Sequence, residues 1–207
     1  MTAIHIRKRR QIKWGRPKAT SKPSQQMPVT RTRKFNMSTI KACDLSDNAL
    51  LNVYAKTESC YTDCYATDIR AAVNLSSFVT MFYTTPLFRL ERVVLKLAVS
   101  KPSTDRQARQ LGEAKIDHFA AWKVEQRTED QLLMCDMSGR TRSWFMVDFI
   151  PNDSGPKTRL YFGSAVVPVM NDKTGELTLG QGFVNLLGFH KLYSRALLSA
   201  AKSRLGK

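Results

Sequence analysis

Alternation of polar with aromatic or β-favouring residues first becomes regular over Tyr61 to Asp68, YTDCYATD, and predicts a first strand. The period then changes. Asn74 is placed to cap a helix in which Leu75, Phe78, Val79 and Phe82 recur at helical spacing. Thr84-Thr85-Pro86 ends it and opens a second helix, Leu87 to about Val99, with Leu87, Leu90, Val94 and Leu97 on one side and Arg89, Arg92 and Lys96 away from it. Lys101-Pro102-Ser103 stops that helix, and Thr104 to about Lys115 predicts a short polar one.

Beyond Asp117 the period returns to two. Phe119 to Arg127 reads as a half-buried strand, with Trp122 and Val124 on one side and Lys123, Glu125 and Arg127 on the other. Gln131 to Met137, the small turn Ser138-Gly139, and Arg140 to Ile150 predict a hairpin. After the loop Pro151 to Pro156, a further strand covers Thr158 to Val169, and Asn171 to Gly175 forms another turn. A long helix from Gly182 to about Leu205 would extend roughly 36 Å at ~1.5 Å per residue, enough to cross a sheet. Its stripe is Phe183, Leu186, Leu187, His190, Ser194, Leu197, Leu198, Ala201 and Leu205, with Lys191, Arg195, Ser199 and Lys202 on other faces.

A strand, two or three helices, antiparallel strands in series and a terminal helix give an α+β class, because parallel α/β folds alternate the two element types. The expected architecture is a curved antiparallel sheet gripping the long C-terminal helix, with two or three helices inserted after the first strand. From Cys60 to Leu205 this order resembles the helix-grip superfamily, the START and polyketide-cyclase-like proteins. The segments FAAWKVEQR, LLMCDMSGRTRSWFMV, TRLYFGSAVVPV and GFHKLYSRALL resemble a bacterial family within that fold whose motifs carry no assigned chemistry. The resemblance implies a cavity between sheet and terminal helix.

Composition adds a divided charge. Lys and Arg total 33 against 17 acids, formally +16. Residues 1–36 hold 11 basic residues and no acid, so the remainder carries 22 against 17, or +5. Few apolar residues and strong self-repulsion predict a disordered leader over 1–36. Three readings compete for it: an arm for nucleic acid or an anionic membrane, an organellar presequence, or an extension without function, translation starting at Met27 or Met37. No apolar run approaches the ~20 residues that span a bilayer. The cysteines Cys43, Cys60, Cys64 and Cys135 lack the paired short spacings of a zinc site. Cys60 and Cys64 on one strand would stand roughly 13 Å apart, so free thiols and a cytoplasmic location are expected.

No metal or cofactor is implied. Gly180-Gln181-Gly182 is followed by Asn185 where a dinucleotide fingerprint needs glycine, and no βαβ unit surrounds it. For a small, largely apolar or amphipathic ligand the lining candidates are Trp122, Trp144, Tyr161, Phe183, Leu187, His190 and Ser194, with Arg142 for an anionic head group. Parity leaves the inward face open. Arg140, Arg142 and Trp144 share one face of their strand, and Phe145, Val147 and Phe149 make the opposite face equally apolar. His190 and Ser194 stand at i and i+4, but no G-x-S-x-G elbow accompanies them. Three functions are carried forward: a binding protein, a cyclase-like or hydrolytic enzyme using the same cavity, and an interaction protein acting through the leader.

Overall fold

The computed structural model describes residues 39–100, 102–171 and 174–206, so the leader over 1–36 lies outside the described residues. Along the chain run β1 (Lys41–Ala42), α1 (Asn52–Ala55), β2 (Tyr61–Ile69), α2 (Leu75–Tyr83), α3 (Pro86–Val99), α4 (Asp105–Gly112), β3 (His118–Phe119), β4 (Trp122–Arg127), β5 (Gln131–Asp136), β6 (Thr141–Ile150), β7 (Lys157–Val166), β8 (Val169–Met170), β9 (Leu177–Thr178) and α5 (Gln181–Leu205). Among the described residues, β1-β2-β7-β6-β5-β4-β3 form one antiparallel sheet and β8-β9 a separate ribbon. The protein is α+β, a large antiparallel sheet with helices after its first long strand and a long C-terminal helix.

Local signals explain the helix starts. The Asn74 side chain accepts from the Ser77 N–H, and Thr104 forms a reciprocal capping box with Gln107. α5 packs on α2, β2 and β7. Its C-terminal half is buried almost all round, Leu197 through Ala201, because the sheet covers one side and α2 another. Ser199, expected on an outer face, is therefore inside. The N-terminal half projects further into solvent, and Leu186, expected in the buried stripe, is exposed. On α3, Leu90 and Leu97 are likewise exposed, while Phe88 is buried and Leu87 packs against the core.

The strand reading needs two corrections. β7 ends at Val166, and Val169 belongs to the β8-β9 ribbon. In β4 the register shifts between Val124 and Gln126, where two residues oppose one. That bulge leaves Glu125 on the outer face but turns Arg127 inward, where its guanidinium donates to the Leu111 and Gly112 carbonyls at the end of α4. Positive charge suits a helix C-terminus.

The sheet packs side chains on both faces, the outer one only in part. The inner face carries Tyr65 of β2, Phe145 and Val147 of β6, Leu160 and Phe162 of β7, and Leu132 and Met134 of β5 against α2 and α5. Phe82 sits at the centre of an aromatic cluster, its ring centroid 4.8 Å from Phe145 and 4.7 Å from Phe162. On the outer face Cys64, Leu133, Trp144 and Met146 pack beneath Ala49 and Leu51, at the start of α1. Gly163 permits that layer, because a Cβ there would stand 2.8 Å from the Asp63 carbonyl oxygen and 3.0 Å from the Trp144 ring.

Candidate functional site

Strand alternation and helix periodicity place one set of side chains in the gap between α5 and the inner face. β6 contributes Thr141 and Ser143, β7 contributes Phe162 and Ser164, and β4 contributes Trp122. His190, Tyr193, Ser194 and Leu197 follow at i, i+3, i+4 and i+7 on α5, the stripe that one helix face presents to a sheet. Phe82 and Tyr83 of α2 and Phe88 and Glu91 of α3 close the remaining sides. Together they bound a chamber of about 140 Å³. Two larger spaces beside β1 and β2 are open surface grooves of about 510 and 540 Å³.

The chamber is apolar with a polar end. Glu91 accepts a hydrogen bond from the Tyr193 hydroxyl. Burial pushes the Glu91 carboxyl above its ordinary range, with the Tyr193 bond opposing. Tyr193 is itself pushed up by burial and then by the Glu91 charge. Tyr83 is 1% exposed, and its hydroxyl has no partner among the described residues. An unmatched buried donor is uncommon and unfavourable, which makes this end of the chamber receptive to an acceptor.

A second polar group forms the wall on the β2 side. Asp63 Oδ1 accepts from the Ser164 N–H at 3.1 Å and from the Ser164 hydroxyl at 2.6 Å. Tyr61 donates to Asp63 Oδ2 at 3.0 Å, and burial followed by the Asp63 charge raises its phenol. His190 Nε2 stands 2.8 Å from Ser164 Oγ and 3.6 Å from Asp63 Oδ2. Ser, His and Asp thus meet, but in the wrong order for nucleophilic catalysis. The single Ser164 proton goes to the carboxylate, so His190 Nε2 is the donor to Ser164 Oγ. A triad instead needs the imidazole lone pair to take that proton and the carboxylate to hold the far ring nitrogen. The cluster fixes His190 against the sheet and presents no activated hydroxyl.

Of the residues expected from sequence to line a pocket, Trp122, His190 and Ser194 do so. The i, i+4 spacing allowed the His190 and Ser194 side chains to meet; His190 bonds Ser164 across on β7. Phe183 packs edge-on against Tyr61 and His190, at ring centroid distances of 5.3 and 5.9 Å, beside the chamber. Leu187 is half-buried on α5 and does not border the chamber.

Trp144, Tyr161 and Arg142 are on the other face. The open parity is resolved by Phe145, which meets Phe78 and Phe82 of α2 and turns its neighbours outward. Trp144 is fully buried there, donating its indole N–H to Gln131 Oε1 at 2.9 Å, with Tyr161 beside it. Arg142 is committed to Glu125 at 2.9 Å and lies over the Tyr54 ring, so it holds no ligand head group in the chamber. Burial and its bond to Glu125 in turn raise the Tyr54 phenol to about 12.

Sequence reasoning missed Glu91, Tyr193, Tyr83, Asp63 and Ser164 as a group. Glu91 carried the clearest signal, an acid at i+4 from Leu87 on an amphipathic helix. The rest depend on strand register across β2 and β7. Comparison with known protein families and with curated proteins finds no match to this chain. Among the described residues no helix is long and apolar enough to cross a membrane.

Proposed function

We propose that this protein, a helix-grip-type domain, binds a small, largely apolar molecule between α5 and the sheet. The observation that carries the reading is the chamber of about 140 Å³ with aromatic walls and a polar end. An engineered apolar cavity of ~150 Å³ accepts benzene, so this volume suits a guest of about six to nine heavy atoms. An anionic head group is disfavoured by the Glu91 carboxyl and by the commitment of Arg142 to the opposite face. A neutral guest with an accepting oxygen would answer the Tyr83 hydroxyl. Free thiols fit the reducing cytoplasm as its location.

Benzyl alcohol serves as a probe of the right size. Titrated into protein with labelled tryptophan, it is expected to shift the Trp122 indole resonance saturably. Ser194→Leu fills the chamber and abolishes the shift, while Arg142→Ala leaves it intact. No saturable shift in the wild type, or loss on Arg142→Ala with retention in Ser194→Leu, overturns the assignment.

The second reading, an acid–base enzyme using the same chamber, draws on the His190 ring at its wall. His190→Phe would then abolish turnover of a bound substrate without abolishing binding. Equal turnover in the two proteins rejects it. The third reading, an arm for nucleic acid or anionic membrane, rests wholly on residues outside those described.

A further inference from the structure

We propose that Cys43 and Cys64 form a reversible cross-strand dithiol, a modification site at which the protein accepts oxidation by a low-molecular-weight disulfide. The pairing Lys41↔Ala66 and Ala42↔Tyr65 continues by one step, placing Cys43 directly opposite Cys64, and the Cys43 N–H donates to the Cys64 carbonyl at 3.1 Å. The two Sγ atoms are 3.0 Å apart. Hydrogen-bonded partners in an antiparallel ladder have Cα atoms ~5.5 Å apart, inside the ~4.4–6.8 Å that a disulfide spans. The facing positions therefore lie within the backbone span of a disulfide, and the sulfurs have about 1 Å left to close. Cys135 lies elsewhere, its thiol donating to the Asp136 carbonyl.

The two thiols are unequal. Cys43 is partly exposed and borders both open grooves, whereas Cys64 reaches only one of them and is buried beside Leu51 and Trp144. The hydrogen bond with Cys64 lowers the Cys43 thiol against the opposing effects of burial and of the Asp44 charge, with a smaller lowering from Arg159. The same bond, and then burial, raise Cys64. Cys43 is thus the attacking sulfur and Cys64 the resolving one.

The exchange balances without a further reactant. The Cys43 thiolate attacks one sulfur of RSSR, forming Cys43–S–SR and expelling RS⁻. Cys64 passes its proton to that RS⁻, attacks the Cys43 sulfur and expels a second RS⁻. This takes up the proton that Cys43 released. Two protein thiols are oxidised to one disulfide and one RSSR is reduced to two RSH. The product closes the segment 43–64, which carries α1 and covers Trp144, and staples β1 to the edge of β2.

Oxidised glutathione is the probe, applied to the full chain as wild type, Cys60→Ser and Cys43→Ser. Wild type and Cys60→Ser are expected to lose two hydrogens in intact mass, and the non-reduced tryptic map of Cys60→Ser to join peptide 42–56 to peptide 57–70. The bond is absent in Cys43→Ser. Oxidation raises the melting temperature of Cys60→Ser by about 5–10 °C, and dithiothreitol reverses it. Stable glutathione adducts without an internal bond in Cys60→Ser, or a wild-type bond that disappears in Cys60→Ser, overturn the proposal.

Discussion

Replacing Trp144 by Phe separates a structural indole from a ligand-contacting one. The ring is fully buried on the outer face, and its N–H donates to Gln131 Oε1, which also accepts from the Leu50 N–H at 2.9 Å. Gln131 in turn donates to the Asn48 carbonyl at 3.1 Å, so it ties the segment before α1 to the sheet. The substitution removes one hydrogen bond of about 1 kcal/mol without orphaning Gln131, which keeps Leu50. It also leaves a void of roughly 40 Å³, about 1 kcal/mol at ~24 cal/mol per Å³, plus the lost transfer energy of the deleted atoms. The sum is about 2–3 kcal/mol. Urea unfolding followed by circular dichroism should show that loss with an unchanged slope, and benzyl alcohol binding should be unaffected. A loss below about 0.5 kcal/mol, or abolished binding with an unchanged midpoint, would refute the two-face assignment.

Gly112 sits where α4 crosses α2, and a Cβ there would stand 2.6 Å from both the Ser76 carbonyl oxygen and Thr80 Oγ1, so Gly112→Ala should cost about 1–3 kcal/mol in thermal unfolding. Glu91 has a raised carboxyl, so the folded state holds its proton more tightly than the unfolded state, and stability falls as pH rises from the ordinary carboxylate value through the folded one. Glu91→Gln should flatten that fall and stabilise the protein at pH 7, as measured by urea midpoints across the range. Asp68 behaves oppositely: its bond to Arg159 lowers it to about 2, and the resulting stability, present above the ordinary value near 3.8, is lost as pH falls towards 2. Asp68→Asn should remove this acid-side loss, and because the pair is only partly buried and screened by solvent the change at pH 7 should be under about 1 kcal/mol.

The long elements were legible because each has one period and a covered face. Asn74, Thr104 and the Pro86 start marked helices correctly, since caps and proline act within one turn of chain. β1 and α1 escaped because two strand residues and four helical ones carry no measurable period. Arg127 was misplaced by the bulge, which adds one residue and inverts every later side chain in that strand. The site was half legible. Trp122, His190 and Ser194 follow from alternation and a helix stripe, but Trp144, Tyr161 and Arg142 hinged on a parity that only the Phe145 contact with α2 decides. Cys43 and Cys64, far apart in sequence, are paired by a ladder whose strand is too short to read.

A crystal of the protein pressurised with xenon tests the chamber itself. Xenon is expected between Trp122, Phe82, Phe162 and Leu197, beneath α5, with the surrounding side chains unmoved. Closed contact between Leu197 and Trp122, with no electron density for xenon under the helix, would contradict the account.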